Sequence, residues 1–460
     1  DILISPDLTG YTFVDFEQGA ELVARGEAAA RAMSDRLRAL STAPEWYAAW
    51  EARRSRAPVT STERVAVIQT RGAVRTNPEA LEREIRERAG VAIGQRVTDE
   101  QLTEASRVLY GMGEFERVQV VSEIQGERRI VVVEVEEKPW GPNYLRIAGR
   151  AVADARTDAR FSIGVQHTRT WLNDWGAEWR NEVEFGDVRR FTTSFYQPLG
   201  PASRWFIEPR FETITADSDI FTSGNHRTDR ITHATTGVSS AFGARLGSTG
   251  VARVAVGHEW YRATPSISRS EETVKDTGNY ARFGIVFDSL DDANFPRHGY
   301  LANAVANVTR YSSIDESVQT FAVSALVPAT FGRLTLLGLG VAGTSRDDRG
   351  GFTLGGFLNL SGTPIGAVAG SQVAALAGIA YYRLGDLPRA LGRAWYAGVS
   401  LEAGNAWARR ADVRFSDLRK AGSLFLGLDS IIGPLYFGYG HTFGGDSAFY
   451  LFLGRPTDHN

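Results

Sequence analysis

The most constraining feature of this sequence is a series of short alternating segments that runs from Trp140 to the C-terminus. There are about sixteen of them, each of roughly ten residues, separated by clusters of turn-forming residues. In one segment Phe161, Ile163 and Val165 would face one side of a strand, and the residues between them would face the other. An even number of such segments is typical of an antiparallel transmembrane β-barrel.

The positions of the segments test this interpretation. The predicted strands begin near Leu145, Phe161, Glu178, Phe191, Phe206, Thr235, Val251, Tyr280, Leu301, Val318, Leu334, Val373, Trp395, Leu424, Leu435 and Phe449. Connections that follow even-numbered strands are mostly short, and the long ones follow odd-numbered strands, at 214–233, 262–279, 346–371 and 406–420. If both chain ends of the barrel are periplasmic, the short connections are periplasmic turns and the long ones are cell-surface loops.

Two other fold classes share part of this pattern. A soluble β-sandwich or propeller also alternates in polarity, but it does not explain the regular order of short and long connections. A helical membrane protein is suggested by the uncharged stretch between Gly350 and Tyr382, which is however rich in glycine and contains Pro364. A loop folded into the lumen, followed by a strand, fits that stretch better.

The composition limits the possible functions. The 460 residues include 48 glycines and 11% aromatic residues, at a net charge of -3, and the near-neutral balance argues against nucleic-acid binding. The absence of cysteine excludes disulfides, thiolate metal sites and cysteine nucleophiles. With seven histidines and no His-x-x-x-His pattern or acidic cluster at ligand spacing, the sequence predicts neither a metal nor a cofactor.

Residues 63–138 form a separate β-α-α-β-β pattern. The first predicted helix has Thr76 or Asn77 as its N-cap and Gly90 as its stop, and the second has Thr98 as its cap. The element order resembles a single POTRA domain, the periplasmic polypeptide-handling module that precedes certain outer-membrane barrels. The resemblance implies a domain able to pair with an extended client by strand addition, although a solvated sheet edge is an equal alternative.

Three segments of the barrel resemble the bacterial surface antigen superfamily, whose members include outer-membrane insertases and two-partner secretion transporters. "FDSLDDANFPRHGYL" is similar to its D-x-x-D/N…F-P-x-x-G segment, which implies a periplasmic turn at Asp288, Asp291, Phe295, Pro296 and Gly299. "LGGFLNLSGTPIG" stands at the place of the motif L-G-G-x-x-x-V-R-G-F/Y in the sixth loop. "SLEAGNAW" is similar to the strand motif F-x-D-x-G and implies that Glu402 and Gly404 face the lumen.

The loop motif departs from the family pattern. Ser361 stands at the place of the family's arginine, which pairs with the motif's Asp across the lumen, and Glu402 stands in place of that Asp. A serine is too short to replace the arginine, so Glu402 is expected to pair with some other lumen arginine. The lumen is expected to be polar and rich in arginine, with Arg282 and Arg383 as candidate lumen residues. The loop is still expected inside the pore, held by Asn359, Ser361 and backbone N–H bonds from Gly355, Gly356 and Gly362; a flexible surface loop is the alternative.

The N-terminal segment "DILISPDLTGYTFVDFEQGAELVARGEAAA" resembles the last part of patatin-like phospholipase domains. It contains neither a Gly-x-Ser-x-Gly elbow nor a D-G-[GA] triplet, so this chain is predicted not to be an enzyme and a lipase is expected upstream. The predicted domains are a patatin-like remnant with a linker helix (1–62), a POTRA domain (63–138) and a sixteen-stranded barrel (139–460). This order resembles the patatin-type (type Vd) autotransporters.

The resemblance implies an outer-membrane translocator that secretes or displays its own passenger. An insertase or transporter for other polypeptides is the alternative, and a porin or outer-membrane enzyme fits less well. The implied partners are outer-membrane lipids and lipopolysaccharide, the passenger and the barrel assembly machinery, with a homodimer left open. The expected interface aromatics are Trp171, Trp175, Trp260, Tyr261 and Trp395.

Overall fold

The computed structural model describes residues 2–9, 11, 19–54, 64–125, 128–154, 159–221, 227–265, 273–313, 317–346, 351–388 and 390–455. The contacts divide the chain into two compact units, Asp1–Arg64 and Val65–Asn460. Three segments lie outside the described residues: residues 12–18 of the patatin-like segment, "SRAPVTST" at 55–62, whose composition predicts a linker, and "GE" at 126–127, which predicts the turn between the last two strands of the POTRA-like pattern.

The first unit is helical. Its helices are α1 (Gly19–Ala32), α2 (Ser34–Arg38) and α3 (Pro44–Arg54). The helix that the segment "PEWYAAWEARR" predicts forms as α3, whereas the strand-like run at residues 2–4 forms no strand. Among the described residues of this unit no hydrophobic side chain is buried, and Val23 and Trp46 are 70% and 72% exposed. These helices therefore leave an apolar surface uncovered.

The second unit begins with a small α/β domain. Its elements are β1 (Val65–Arg71), α4 (Pro78–Ala89), α5 (Asp99–Gly111), β2 (Phe115–Gln125) and β3 (Arg128–Glu137). The sheet order is β1-β3-β2, with β1 parallel and β2 antiparallel to β3. Asn77 caps α4, and Thr98 forms a capping box with Gln101 at the start of α5. The core packs Leu81, Ile85 and Leu109 against Val131 and Val133.

Sixteen strands then close into an antiparallel barrel, as predicted. They are β4 (Asn143–Asp154), β5 (Arg160–Arg169), β6 (Glu178–Gly186), β7 (Val188–Pro198), β8 (Trp205–Phe221), β9 (Arg227–Leu246), β10 (Gly250–Pro265), β11 (Val274–Asp288), β12 (Leu301–Tyr311), β13 (Ser317–Phe331), β14 (Leu334–Ser345), β17 (Gln372–Asp386), β18 (Gly392–Trp407), β19 (Arg419–Ser430), β20 (Gly433–Thr442) and β21 (Ser447–Leu453). Two short strands, β15 (Phe352–Leu354) and β16 (Val368–Gly370), pair with each other in the loop between β14 and β17. The barrel closes between β21 and β4 through four residue pairs, compared with seven between β20 and β21.

The barrel wall has the alternation of a transmembrane barrel. Apolar side chains such as Ile147 and Leu401 are 72% and 69% exposed on its outside, while alternate positions such as Ser400 and Glu402 are buried inside. Tyr261 differs from the prediction of an interface aromatic, because it lies on the inner side of β10 with its hydroxyl 2.7 Å from His233 Nδ1. Among the described residues no helix is long and apolar enough to cross a membrane.

Two of the expected long loops are largely strands. The segments 214–233 and 262–279 belong mostly to the hairpins β8–β9 and β10–β11, whose described pairs extend to Phe221↔Arg227 and Ala263↔Val274. Residues 222–226 and 266–272 lie outside the described part of the chain. The strands continue because runs such as "ETITADSDIF" still supply β-branched residues, here Thr213, Ile214, Thr215 and Ile220.

The small domain contacts one end of the barrel. Arg83 Nη1 donates to Pro201 O at 2.8 Å, and Arg245 forms an ion pair with Glu84 at 3.2 Å. Nearby, the Tyr144 hydroxyl donates to the Glu114 carboxyl at 2.6 Å. Burial raises the pKa of Glu114 above its ordinary value, although this bond and one from a threonine oppose the shift. These contacts mark the small-domain end of the barrel.

Glu137, at the end of β3, anchors the entry to α4. Its Oε1 atom accepts hydrogen bonds from the N–H groups of Val74, Arg75 and Thr76, and its Oε2 atom lies 2.9 Å from Arg75 Nε. Burial alone would raise the pKa of Glu137, but these donors outweigh it and lower the pKa below its ordinary value of 4.5.

We therefore expect Glu137→Gln to destabilise the small domain by about 2 kcal/mol at neutral pH. Because the pKa of the folded state is depressed, the stabilisation is present above the ordinary carboxyl pKa and is lost as the pH falls through the folded value. Hydrogen exchange of the Val74–Thr76 amides in the full chain measures the effect. The difference between variant and parent should shrink as the pH falls below the ordinary carboxyl pKa and through the lowered pKa of the folded state; a constant difference would contradict the carboxylate's role.

Candidate functional site: the loop inside the barrel

The interior of the barrel has two unlike halves. On the side of β13–β21 and β4, buried apolar side chains fill the lumen, among them Phe295, Phe357, Tyr396 and Tyr436. On the side of β6–β11 the inward positions carry a series of charged residues: Glu178, Arg180, Glu182, Glu184, Arg190, Glu208, Arg210, Glu212, Arg253, Glu259 and Arg282. One open space of about 520 Å³ lies against this charged wall, and another of about 540 Å³ is lined by the apolar half, including Val152, Leu326 and Phe357.

The connection between β14 and β17 folds into the apolar half. The β15–β16 pair forms its stem, and the tip between them includes Leu360, Ser361 and Thr363, which are 2%, 0% and 1% exposed. The Phe357 ring lies 5.6 Å from that of Tyr436 and 5.3 Å from that of Tyr450. We call residues 352–370 the lumen loop. The burial of its tip argues against the alternative of a flexible surface loop.

The tip is anchored by a bidentate contact with Glu402. The Ser361 N–H donates to Glu402 Oε2 at 2.7 Å, and the Ser361 hydroxyl donates to Oε1 at 2.8 Å. The Ser400 hydroxyl also donates to Oε1, at 2.5 Å. Hydrogen bonds to a carboxyl group are among the stronger ones in proteins, and here both partners are shielded from water.

This arrangement corrects the expectation of an arginine partner. Within the described residues no arginine pairs with Glu402, and Ser361 bonds the carboxyl group itself. The serine succeeds because the backbone enters far enough for its own N–H to reach the strand. Arg282 instead lies over the Tyr280 ring, 5.4 Å from its centroid, and Arg383 pairs with Asp386 at 2.5 Å.

Further bonds fix the tip to β20 and β21. The Gly362 N–H donates to the Tyr450 hydroxyl at 2.8 Å, and the Thr442 hydroxyl donates to Ser361 O at 3.1 Å. The Thr363 and Thr442 hydroxyl oxygens are 2.9 Å apart. Thr442 and Tyr450 were not identified from the sequence as part of the site. Their inward register, alternating with exposed Phe443 and Phe449, is the signal that could have found them.

The tip fits only because glycines leave room for it. A Cβ atom on Gly362, whose φ is +96°, would lie 2.5 Å from Asp446 O and 2.6 Å from Thr442 N. On the opposing strand, a Cβ atom on Gly440 would lie 2.5 Å from Ser361 Cβ. The depth to which the loop enters is therefore set by two chain segments that are distant in sequence.

The other predicted loop residues act within the loop. Gly355 N donates to Asn359 O at 2.8 Å and Gly356 N to Thr363 O at 2.9 Å, while the Asn359 side chain reaches Gly355 O at 3.4 Å. Of the three predicted glycine N–H bonds, only that of Gly362 reaches the wall. Gly404 lies on β18 opposite Ala375, whose Cβ would be 2.9 Å from a Cβ on Gly404.

The segment 289–300 closes the small-domain end of the apolar half. Asp288 Oδ1 accepts from Leu290 N at 3.1 Å, and Asp291 Oδ1 accepts from Arg297 N and His298 N at 2.8 and 3.0 Å. Gly299 has φ +92° and passes too close to Ser289 O for any side chain. The Tyr381 hydroxyl donates to Pro296 O. The turn predicted from the sequence thus points inward at the barrel end.

Phe295 is the apolar anchor of this turn. It is 4% exposed and stacks on Tyr396 at 4.3 Å, with Tyr436 at 5.4 Å and Tyr381 at 5.9 Å. We expect Phe295→Leu to lower the free energy of unfolding by about 2 kcal/mol, since volume is nearly kept but the ring contacts are lost. Thermal unfolding in detergent measures this. Phe443→Leu, at a 57% exposed position, is the control and should change little.

Among the described residues no group of three or more histidine or acidic side chains could hold a metal ion. No protein-family model matches the sequence, and no curated protein matches it either.

Solved structures do resemble this chain. A BamA structure from Haemophilus ducreyi lacking POTRA domains 1–3 matches at a TM-score of 0.59 and 13% identity, over 85% of each chain. CdiB from Acinetobacter baumannii matches at a TM-score of 0.52 and 9% identity, and CdiB from Escherichia coli at 0.52 and 14%. Each CdiB match covers 85% of this chain, and 74% and 76% of the respective CdiB chain. At these identities the likeness is one of fold, and this chain shares the fold of BamA and CdiB.

Proposed function

We propose that this chain is an outer-membrane translocator that moves a polypeptide across or into the membrane. The observation that carries the proposal is the combination, in one compact unit, of a small β-α-α-β-β domain at the barrel end and a loop anchored inside the lumen. A passive pore needs neither element. The likeness in fold to BamA and CdiB supports the same class of protein.

We further propose that the client is the chain's own N-terminal part, a patatin-like lipase. The uncovered apolar side chains of α1–α3 support this, because the rest of a folded domain would bury Trp46 and Trp50. In this proposal the small domain is periplasmic and the first unit reaches the cell surface. The chain described here supplies the translocator, while the hydrolytic residues belong to the passenger.

Epitope accessibility on intact cells tests the proposal. A tag inserted at residues 41–43, in the exposed connection between α2 and α3, should bind antibody on intact cells. A matched tag beside Gly94, in the exposed connection between α4 and α5, should be reached only after the outer membrane is permeabilised. If neither tag is reached on intact cells while depletion of the protein lowers the amounts of other outer-membrane proteins, the chain acts on other polypeptides instead.

Planar-bilayer conductance examines the lumen loop directly. Deleting residues 352–368 should turn a small, unsteady conductance into a large, steady one, because the deletion removes both the anchored tip and Phe357 from the lumen. Equal conductance of the deletion variant and the parent would mean that the loop does not restrict the pore. The elution volume of both proteins in detergent controls for assembly of the barrel.

A further inference from the structure

The outer wall of the barrel carries a polar patch next to an apolar groove. On β4–β7 the outward positions near the small-domain end are Asn143, His167, Arg169, Asn181 and Thr193. These positions share the face of Leu145, Ile163 and Phe185, which are 65%, 52% and 63% exposed to the surroundings of the barrel. A polar group at this place is notable because this face of a transmembrane barrel contacts lipid.

The patch is held together by side-chain bonds across four strands. Trp179 Nε1 donates to the Thr193 hydroxyl at 2.9 Å, which donates to Asn181 Oδ1 at 2.8 Å. The His167 ring nitrogens lie 3.4 Å from Asn181 Nδ2 and 3.1 Å from Asn143 Oδ1. The network orders these side chains at the edge of the apolar wall.

Arg169 adds a positive charge to the ordered patch. It is exposed and pairs in register with Asn143 on one side and Trp179 on the other, so its side chain begins about 5 Å from each. Among the described residues it makes no ion pair. The acidic residues of the same strand pair, Glu178, Glu182 and Glu184, fall on the inner face. The outward charge is therefore available to an anion.

The groove begins beside the patch. It has a volume of about 590 Å³ and is lined by Leu172, Trp179, Thr193, Phe195, Pro209, Phe211 and Val238, among others. It lies where the β7–β8 ladder is interrupted between Ser194↔Arg210 and Gln197↔Ile207. The interruption falls at Pro209, which has no N–H to donate to a ladder.

We propose that the patch and the groove together bind one glycerophospholipid, with its phosphate at Arg169 and one acyl chain in the groove. Arginine binds phosphate through paired N–H donors, and the Trp179 indole is suited to the boundary between headgroups and acyl chains. The apolar groove is complementary to the chain of the same molecule. This site depends on the transmembrane barrel and not on the proposed secretion role.

Native mass spectrometry of the full chain in detergent, titrated with dioleoylphosphatidylglycerol, tests the site. Arg169→Gln should raise the apparent Kd about tenfold, the effect of losing one charge-assisted hydrogen bond. Arg262→Gln is the matched control, because Arg262 is also exposed on the outer face, on β10. Equal binding by parent and Arg169→Gln, or an equal loss in Arg262→Gln, would overturn the proposal.

A second pair of variants separates a lipid from a free anion. Val238→Trp should fill the groove and weaken lipid binding, whereas Val256→Trp, at another exposed outward position, should not. Inorganic phosphate in millimolar excess should leave the bound lipid in place. Displacement by phosphate, or full binding by Val238→Trp, would show an anion site without an acyl-chain groove and would contradict the proposal. Epitope accessibility should be unchanged in Arg169→Gln.

Discussion

Replacing Glu402 by alanine is expected to lower the free energy of unfolding by about 3–5 kcal/mol and to release the lumen loop. The substitution leaves the Ser361 N–H, the Ser361 hydroxyl and the Ser400 hydroxyl without their common acceptor in a buried place. Each unsatisfied buried donor costs about 1–3 kcal/mol, and the two hydroxyls can recover part of this by rotating. Thermal unfolding in detergent measures the loss, and bilayer conductance reports the release.

Glu212→Ala is the matched control for this experiment. Glu212 also faces the lumen but is a third exposed, and it accepts one hydrogen bond from Thr192 at 3.1 Å. Its removal should cost less than about 1 kcal/mol and should not change the steadiness of the conductance. If Glu402→Ala were as mild as Glu212→Ala, the Ser361–Glu402 contact would not anchor the loop.

Gly362→Ala is expected to have the second large effect, about 3 kcal/mol, with the same opening of the pore. The added methyl group meets the backbone of Asp446 and Thr442, which cannot move without breaking the β20–β21 hairpin, and the residue must also keep φ at +96°. Unfolding and conductance measurements on the same sample show whether stability and closure are lost together.

Gly366→Ala isolates the backbone component of this effect. Gly366 lies in the same loop with φ +77°, but a Cβ atom there has no neighbour within 4 Å. Gly366→Ala should therefore lower the free energy of unfolding only by the strain of a left-handed residue, about 1–2 kcal/mol, and the pore should stay closed. An open pore in this variant would mean that backbone strain, rather than crowding at the tip, expels the loop.

The barrel could be predicted because its strands carry a period-two signal that depends only on neighbouring residues. The predicted starts at Glu178, Leu301 and Leu334 coincide with observed strand starts. The limits of the strands were harder to predict: β8 and β9 extend through a stretch that looks polar enough to be a loop. A polar stretch does not end a strand when the two strands of a hairpin keep pairing beyond the apolar residues of the outer wall.

The partner of Glu402 could not be predicted, because it depends on contacts between distant parts of the chain. Ser361 is too short to cross a lumen, which led to the expectation of an arginine. How far the loop enters depends on Gly440 in β20, and nothing near Ser361 in the sequence records that glycine. The sequence indicates Ser361 and Glu402 separately, but their pairing depends on how deeply the loop enters the barrel.

The uneven filling of the lumen has a mechanical consequence. On the side that holds the lumen loop, Phe357 packs between aromatic rings of β19, β20 and β21 and braces these three strands against one another. Among the described residues no loop packs against the wall formed by β6–β11 in this way, so an applied load should deform the barrel there first. The closure between β21 and β4 consists of four residue pairs. The same ring cluster stiffens it, because Tyr450 and Phe452 of β21 pack against Phe357. Removing Phe357 from the lumen would therefore make the closure between β21 and β4 more flexible as well.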